Sequence, residues 1–216
     1  MSKLPPSASI THAEEGGKLS APSALRNIAA ITEVVTAHAP PSGRALEIAS
    51  GTGQHITALA RALPALDWHP TEIAPERITS INAYRAEAAL PNLHPAQTLD
   101  ATAAGWPAQH VPYDLVYLGN LLHLISDAAA NTVLSQAAQV LTPHGVLILY
   151  GPFMRAGQLT SDGDKSFHAD LRGADPAIGY KDDRWINEIL TQAGLDLKVV
   201  EMPANNLCLI ARQEPS

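Results

Sequence analysis

Glu47, Glu72 and Asp100 each fall at the end of a short apolar run. Glu47 leads into a small-residue turn, Ala49-Ser50-Gly51-Thr52-Gly53, followed by Gln54 and His55. Gly51 and Gly53 lack Cβ atoms, so the backbone there can take angles closed to other residues and let a ligand lie against the main chain. The first N–H groups of the helix expected to begin near Gly53 have no partners within it and can face that ligand. No Gly-Lys-Ser/Thr follows, which excludes a Walker loop, and the third glycine of a dinucleotide fingerprint is missing. Glu47 discriminates among the ligands that remain: a carboxylate beside the turn repels a pyrophosphate and suits a cation.

The amino acid end of S-adenosylmethionine is such a cation, and the other two acids fit the rest of that molecule. Glu72 lies 21 residues beyond Gly51, close to the spacing of about 20 at which a carboxylate accepts the ribose hydroxyls. Asp100 is then placed to accept from the adenine amino group. Gln54 and His55 are expected at the methionine part, with Ala49, Ser50, Thr52, Ile73, Ala101 and Asn120 as neighbouring contacts.

Methyl transfer is a displacement at a sulfonium methyl, leaving S-adenosylhomocysteine. It asks the protein to position a nucleophile and, where that group carries a proton, to remove it. His123, just after Asn120, is the candidate base because its ordinary pKa lies near neutrality; the competing reading is an oriented structural histidine. Tyr150 and Phe153 are candidates for an aromatic wall around the acceptor, and Asn27 for a further contact. Arg26 can pair with the cofactor's carboxylate or with an acidic acceptor, and Arg172 with the acceptor.

These residues need a scaffold that gathers strand ends. Residues 1–21, with Pro5-Pro6 and Gly16-Gly17, read as an irregular arm, and 22–216 as a single domain. A helix with Ser20 or Ser23 as its cap and Leu25, Ile28, Ile31 and Val35 at helical spacing ends before Pro40-Pro41. Strands at Arg44–Ala49, Leu66–Ile73, Asn92–Leu99, Tyr113–Asn120 and Val146–Tyr150 then alternate with helices, the pattern of a parallel sheet covered on both faces. Pro70 suits an edge or irregular strand, and Ala101–Pro112 reads as a short crossover turn. Residues 151–179 read as a long substrate or lid loop. A helix over Asp182–Gly194 and strands at Leu195–Met202 and Asn206–Arg212 close the sheet with an antiparallel edge.

Composition bounds the partners. Hydrophobic residues make up 46% and charged residues 16%, as in a globular chain, and the formal charge of −7 argues against sequence-independent nucleic-acid binding. Cys208 is the single cysteine, the nine histidines show no metal-binding spacing, and no metal site is expected. With no apolar leader and no membrane-length run, no membrane association is expected and the expected location is cytoplasmic. The oligomeric state is left open.

The run Leu46-Glu47-Ile48-Ala49-Ser50-Gly51-Thr52-Gly53-Gln54-His55, with Glu72, Asp100, Tyr113-Asp114-Leu115-Val116 and Leu141-Thr142-Pro143-His144-Gly145, resembles the class I S-adenosylmethionine-dependent methyltransferases. It departs at Ala49, where that superfamily usually has its first glycine. Over residues 20–212 the chain more closely resembles one subfamily, the domain of unknown function 938. That likeness rests on Arg26-Asn27, Trp68-x-Pro70, Asn120-x-x-His123, Tyr150-Gly151-Pro152-Phe153, Asp175-Pro176 and Met202 to Leu207. It implies a Rossmann-like α/β fold: a mostly parallel seven-stranded sheet with an antiparallel last strand. The expected activity is methyl transfer to a small-molecule acceptor. Two alternatives stay open: a cofactor-binding protein without transferase activity that acts through a protein partner, and a nicotinamide-dependent oxidoreductase.

Overall fold

Apolar residues on successive strands alternate between two faces, and each face has its own helices. A computed structural model describes Leu4, Pro5, Ala8 and residues 10–213; the rest of the expected arm, and residues 214–216 of the expected domain, lie outside the described residues. In chain order the elements are β1 (His12–Ala13), β2 (Leu19–Ser20), α1 (Pro22–His38), β3 (Gly43–Ile48), α2 (Gln54–Ala62), β4 (Leu66–Glu72), α3 (Pro75–Ala88) and β5 (Gln97–Thr98). They continue with β6 (Tyr113–Gly119), α4 (Asp127–Gln139), β7 (Leu141–Met154), α5 (Asp162–Ala174), β8 (Lys181–Asp182), α6 (Asp183–Gln192), β9 (Asp196–Glu201) and β10 (Asn206–Arg212).

The main sheet has the order β5-β4-β3-β6-β7-β10-β9, with β8 paired separately to β7 as an eighth, two-residue strand. Pairs from β5 through β7 are parallel, whereas β10 runs antiparallel to both β7 and β9. On one face Leu46, Ile48, Val116, Leu118, Leu147 and Leu149 pack against α4 and α6. On the other, Ala45, Leu115, Tyr117, Ile148 and Tyr150 pack against α1, α2 and α3. The period-2 alternation of a strand thus builds two cores from one sheet. Among the described residues no helix is long and apolar enough to cross a membrane.

Several local expectations are corrected. The third strand is not Asn92–Leu99; only Gln97–Thr98 pairs as a strand, preceded by a single bridge between Trp68 and Leu93. Pro95 carries no N–H for a ladder. The Asn92 amide meanwhile donates to the carbonyls of Ala60, Leu63 and Leu66, fixing this segment by side chain instead. Pro70 sits inside the sheet, on β4 between β3 and β5. Trp68 and Glu72, two residues to either side, bond toward β5, so the missing N–H of Pro70 faces the interval where that ladder is interrupted.

Residues 151–179 do not form a long loop: β7 continues to Met154, and α5 follows with Ser161 and Asp164 in a reciprocal capping box. The arm is partly ordered, with β1 and β2 pairing as a small antiparallel ladder. Helix α1 takes neither Ser20 nor Ser23 as its cap; Ala21 is the capping position, with Pro22 in the first turn. In place of a serine hydroxyl, Gln54 of α2 accepts from Ala21 N–H at 2.8 Å. Ser126 does cap α4, accepting from Ala129 N–H.

Candidate functional site

The carboxyl ends of β3 and β6 lie side by side at the middle of the sheet, and both chains turn sharply there. Ala49 follows β3 with φ 55° and Asn120 follows β6 with φ 55°. For a residue with a Cβ this left-handed backbone costs about 1–2 kcal/mol, the kind of local strain that clusters at functional sites. Ala49 therefore holds the conformation that a glycine adopts freely, which explains how this turn keeps its shape without the usual first glycine. Gly53 is more constrained: at φ 96° a Cβ would lie 2.8 Å from the Ile81 backbone of α3. Gly51, at φ 59°, has nothing within 4 Å of its missing Cβ, so the main chain there is open to a ligand.

Two adjoining cavities occupy this end of the sheet. The first, of about 130 Å3, is lined by Glu47, Ala49, Ser50, Gly51, Thr52 and His55 of the turn, together with Arg77, Gly119 and Asn120. The second, of about 420 Å3, is lined by Arg26 and Asn27 of α1, Asn120, His123, Tyr150, Phe167 and Tyr180, with Pro203 and Asn206 at the far rim. Ala8, Ile10, Ser23 and Asn120 border both.

Glu47 is 2% exposed and its Oε2 has no hydrogen-bond partner. Burial, with a smaller contribution from the Glu72 carboxylate, pushes its pKa up to about 8. A buried carboxylate with an orphan oxygen on the wall of a cleft is a partner for a cation. Glu72 is held differently. Its Oε2 accepts from Gly51 N–H at 3.0 Å, and its Oε1 from Ile73 N–H at 2.8 Å and Ala74 N–H at 3.3 Å. Three of about four acceptor positions are thereby engaged, so Glu72 clasps the turn to the end of β4. Arg77 lies 3.8 Å from it and also borders the first cavity. Ile73 is 44% exposed beside them.

Asp100 is exposed and turns back to accept from the backbone and side chain of Thr102, while Ala101 is buried in the core. Asp100, Ala101, Glu72 and Ile73 do not line the first cavity. Gln54 does not line either cavity: its Oε1 accepts from Ala21 N–H and from the Thr52 hydroxyl. His55 does face the site. Its Nε2 lies 2.7 Å from Asn27 Oδ1, an oxygen that can only accept, so this nitrogen carries the proton. Burial pushes the His55 pKa down to about 4, and Asn27 also hydrogen-bonds the Tyr150 hydroxyl. The chain His55–Asn27–Tyr150 thus fixes α1 across the boundary of the two cavities.

His123 is 5% exposed and held by rings, with Phe167 at 5.8 Å and Tyr180 at 6.3 Å between centroids. Burial, reinforced by Lys181, pushes its pKa down to about 3, so the ring is neutral and a weak proton acceptor. Two expected acceptor residues lie elsewhere. Phe153 is three positions beyond Tyr150 and on the opposite face of β7, packed in the core. Arg172, in the last turn of α5, borders a separate cleft with Asp127 and Lys181. Arg26 joins the larger cavity, away from the Glu47 cleft. Arg77, Phe167 and Tyr180 escape sequence reasoning; for Phe167 the available signal was the Ser161-x-x-Asp164 box, which announces the helix that carries it where a loop was expected.

The order of strands, the antiparallel β10 and the turn after β3 define a class I methyltransferase-like fold. The chain belongs to a family catalogued as a protein of unknown function, DUF938, whose model matches residues 18–213. Solved structures share the fold at low identity. An O-methyltransferase family protein from Burkholderia thailandensis is 17% identical with a TM-score of 0.76, over 88% of this chain and 56% of that one. A putative O-methyltransferase from Nostoc punctiforme is 17% identical with a TM-score of 0.71, over 87% and 56%. CalO1, a methyltransferase in calicheamicin biosynthesis solved with S-adenosylhomocysteine bound, is 17% identical with a TM-score of 0.65, over 88% and 55%. The chain thus spans little more than half the length of the structures it matches.

Proposed function

We propose that the chain transfers a methyl group from S-adenosylmethionine to a small-molecule acceptor. The observation that carries this is Glu47: a buried carboxylate with an unpaired oxygen, lining a cleft whose glycine turn leaves the main chain open. That donor set fits the ammonium of a methionine moiety and not a pyrophosphate. When bound, the cofactor supplies an electrophilic methyl on a cationic sulfur. Glu47 binds the ammonium, the open backbone at Gly51 lies along the ligand, Glu72 offers its remaining acceptor position to a ribose hydroxyl, and Ile73 offers an apolar face to the adenine. Asn120, shared by both cavities, orients the acceptor toward the cleft, and the aromatic rings of the larger cavity exclude water from it.

Isothermal titration with S-adenosylhomocysteine tests the reading. One-to-one binding is expected, weakened about tenfold or more by Glu47→Gln, because the charge-assisted partner of the ammonium is removed. A folded wild-type chain that takes up no S-adenosylhomocysteine overturns it. The low proton affinity of His123 favours a second reading, a cofactor-binding protein that acts through a protein partner; turnover of any acceptor excludes it.

A further inference from the structure

The larger cavity has a composition that restricts what enters it. Phe167, Tyr180 and the His123 imidazole form a cluster with centroids 5.8 to 6.3 Å apart at steep interplanar angles, and Tyr150 closes another side. Such edge-to-face clusters present flat apolar surfaces and polarised ring edges, a setting for another ring. The Tyr180 hydroxyl does not point its hydrogen-bonding capacity at a ligand, since it donates to Asp164 at 3.1 Å. Around the walls, Arg26 is the only one of the Lys, Arg, Asp and Glu residues to line the cavity among the described residues. No acid among them forms an ion pair with it. In a chain whose formal charge is −7, an arginine on an acid-free cavity is a local exception that selects for an anion.

We propose that the acceptor is a small aromatic carboxylate, its ring held by Phe167, Tyr180 and His123 and its carboxylate by Arg26. The assignment rests on the methyl-transfer reading above, and it gives Arg26 to the acceptor in place of the cofactor. The Asn27 bridge between His55 and Tyr150 supports this division, because Asn27 stands beside Arg26 on α1 and, like it, lines the larger cavity and not the Glu47 cleft.

The test is isothermal titration of S-adenosylhomocysteine-saturated protein with three probes: 6-hydroxy-2-naphthoate, its carboxamide, and 6-(aminomethyl)-2-naphthol. The naphthoate is expected to bind about tenfold more tightly than the amide, as a charge-assisted bidentate contact provides, and the amine most weakly. Arg26→Gln brings the naphthoate to the level of the amide while the amide and S-adenosylhomocysteine affinities hold. Arg26→Lys retains part of the preference, and Phe167→Ala weakens naphthoate and amide alike. An amide that binds as tightly as the naphthoate, or failure of all three probes, overturns the proposal. If S-adenosylhomocysteine itself does not bind, the cofactor reading fails separately, and the same probe series on the free chain still decides what the cavity selects.

Discussion

On the proposed reading, Glu47 gives to binding what it costs in folding. Its carboxyl has an ordinary pKa of 4.5, raised to about 8 by burial. A group whose folded pKa is raised contributes stability that is fully present below its unfolded pKa and is lost as pH rises through the folded one. At pH 7 the folded chain must keep this carboxyl protonated where the unfolded chain would ionise it, an expense of about 3 kcal/mol. Glu47→Gln removes that titration and keeps the shape, so it is expected to raise the stability of the free protein by up to about 3 kcal/mol at pH 7 in urea melts. The same change weakens S-adenosylhomocysteine, and binding to wild type at pH 7 is expected to release a proton as the ammonium drives Glu47 to ionise. Titrations in buffers of different ionisation enthalpy measure that release. A variant no more stable than wild type, or binding without proton release, would show that Glu47 is already ionised and otherwise compensated.

At the scale of elements, α5 shows how the larger cavity is held in shape. Ser161 Oγ accepts from Asp164 N–H at 3.1 Å, and Asp164 Oδ2 accepts from Ser161 N–H at 3.1 Å. The other Asp164 oxygen takes the Tyr180 hydroxyl at 3.1 Å, so one carboxylate fixes both the start of α5 and an aromatic wall. Ser161→Ala is expected to cost about 1 kcal/mol, the usual loss for a cap. Asp164→Ala also abandons the Tyr180 hydroxyl and is expected to cost about 2–3 kcal/mol; equal losses in urea melts would show that the Tyr180 link carries no energy. This helix also marks where the sequence stops being legible. The turn after β3, the alternating strands and helices and the antiparallel close could be read because each follows from local periodicity and turn chemistry. Residues 151–179 misled because their polarity masks a short helix stabilised by a cap and one apolar stripe, and β5 misled because Pro95 breaks a pattern that otherwise suits a strand. The candidate cleft was legible where it depends on backbone shape, at Glu47 and Gly51, which line it, and at Gly53, which packs its turn against α3. It was not legible where distant segments meet: nothing near Phe167 or Arg77 announces that tertiary packing brings them to a cavity, and Phe153 was misplaced because a strand's alternation set it facing the core.

Over the whole molecule, buried histidines and Glu47 set opposing limits on the pH range of the fold. Burial pushes His55 and His69 down to about 4 and His123 to about 3, from an ordinary 6.5. A depressed folded pKa contributes stability present above the unfolded value and lost as pH falls toward the folded one, because the unfolded chain takes up the proton first. From pH 6.5 down to 4.5 three such rings oppose the single carboxyl of Glu47, a net of two protons favouring the unfolded state. That net alone gives a slope of about 2.7 kcal/mol per pH unit, reduced because His69 lies nearer solvent, while His38, His110 and His168, also pushed down by burial, act in the same direction. Well above pH 6.5 these rings are neutral in both states, and Glu47 then makes stability fall by up to about 1.4 kcal/mol per unit until it ionises near pH 8. The free protein is therefore expected to melt highest at about pH 7, with a steep acid side and a shallower alkaline side. Glu47→Gln should flatten the alkaline side and leave the acid side in place. Saturating S-adenosylhomocysteine should shift the maximum upward, because a bound ammonium compensates the ionised carboxylate. Calorimetric melts from pH 4 to 8.5 check all three, and a melting temperature that climbs steadily from pH 7 to 8 in the free protein would contradict a Glu47 held protonated by burial.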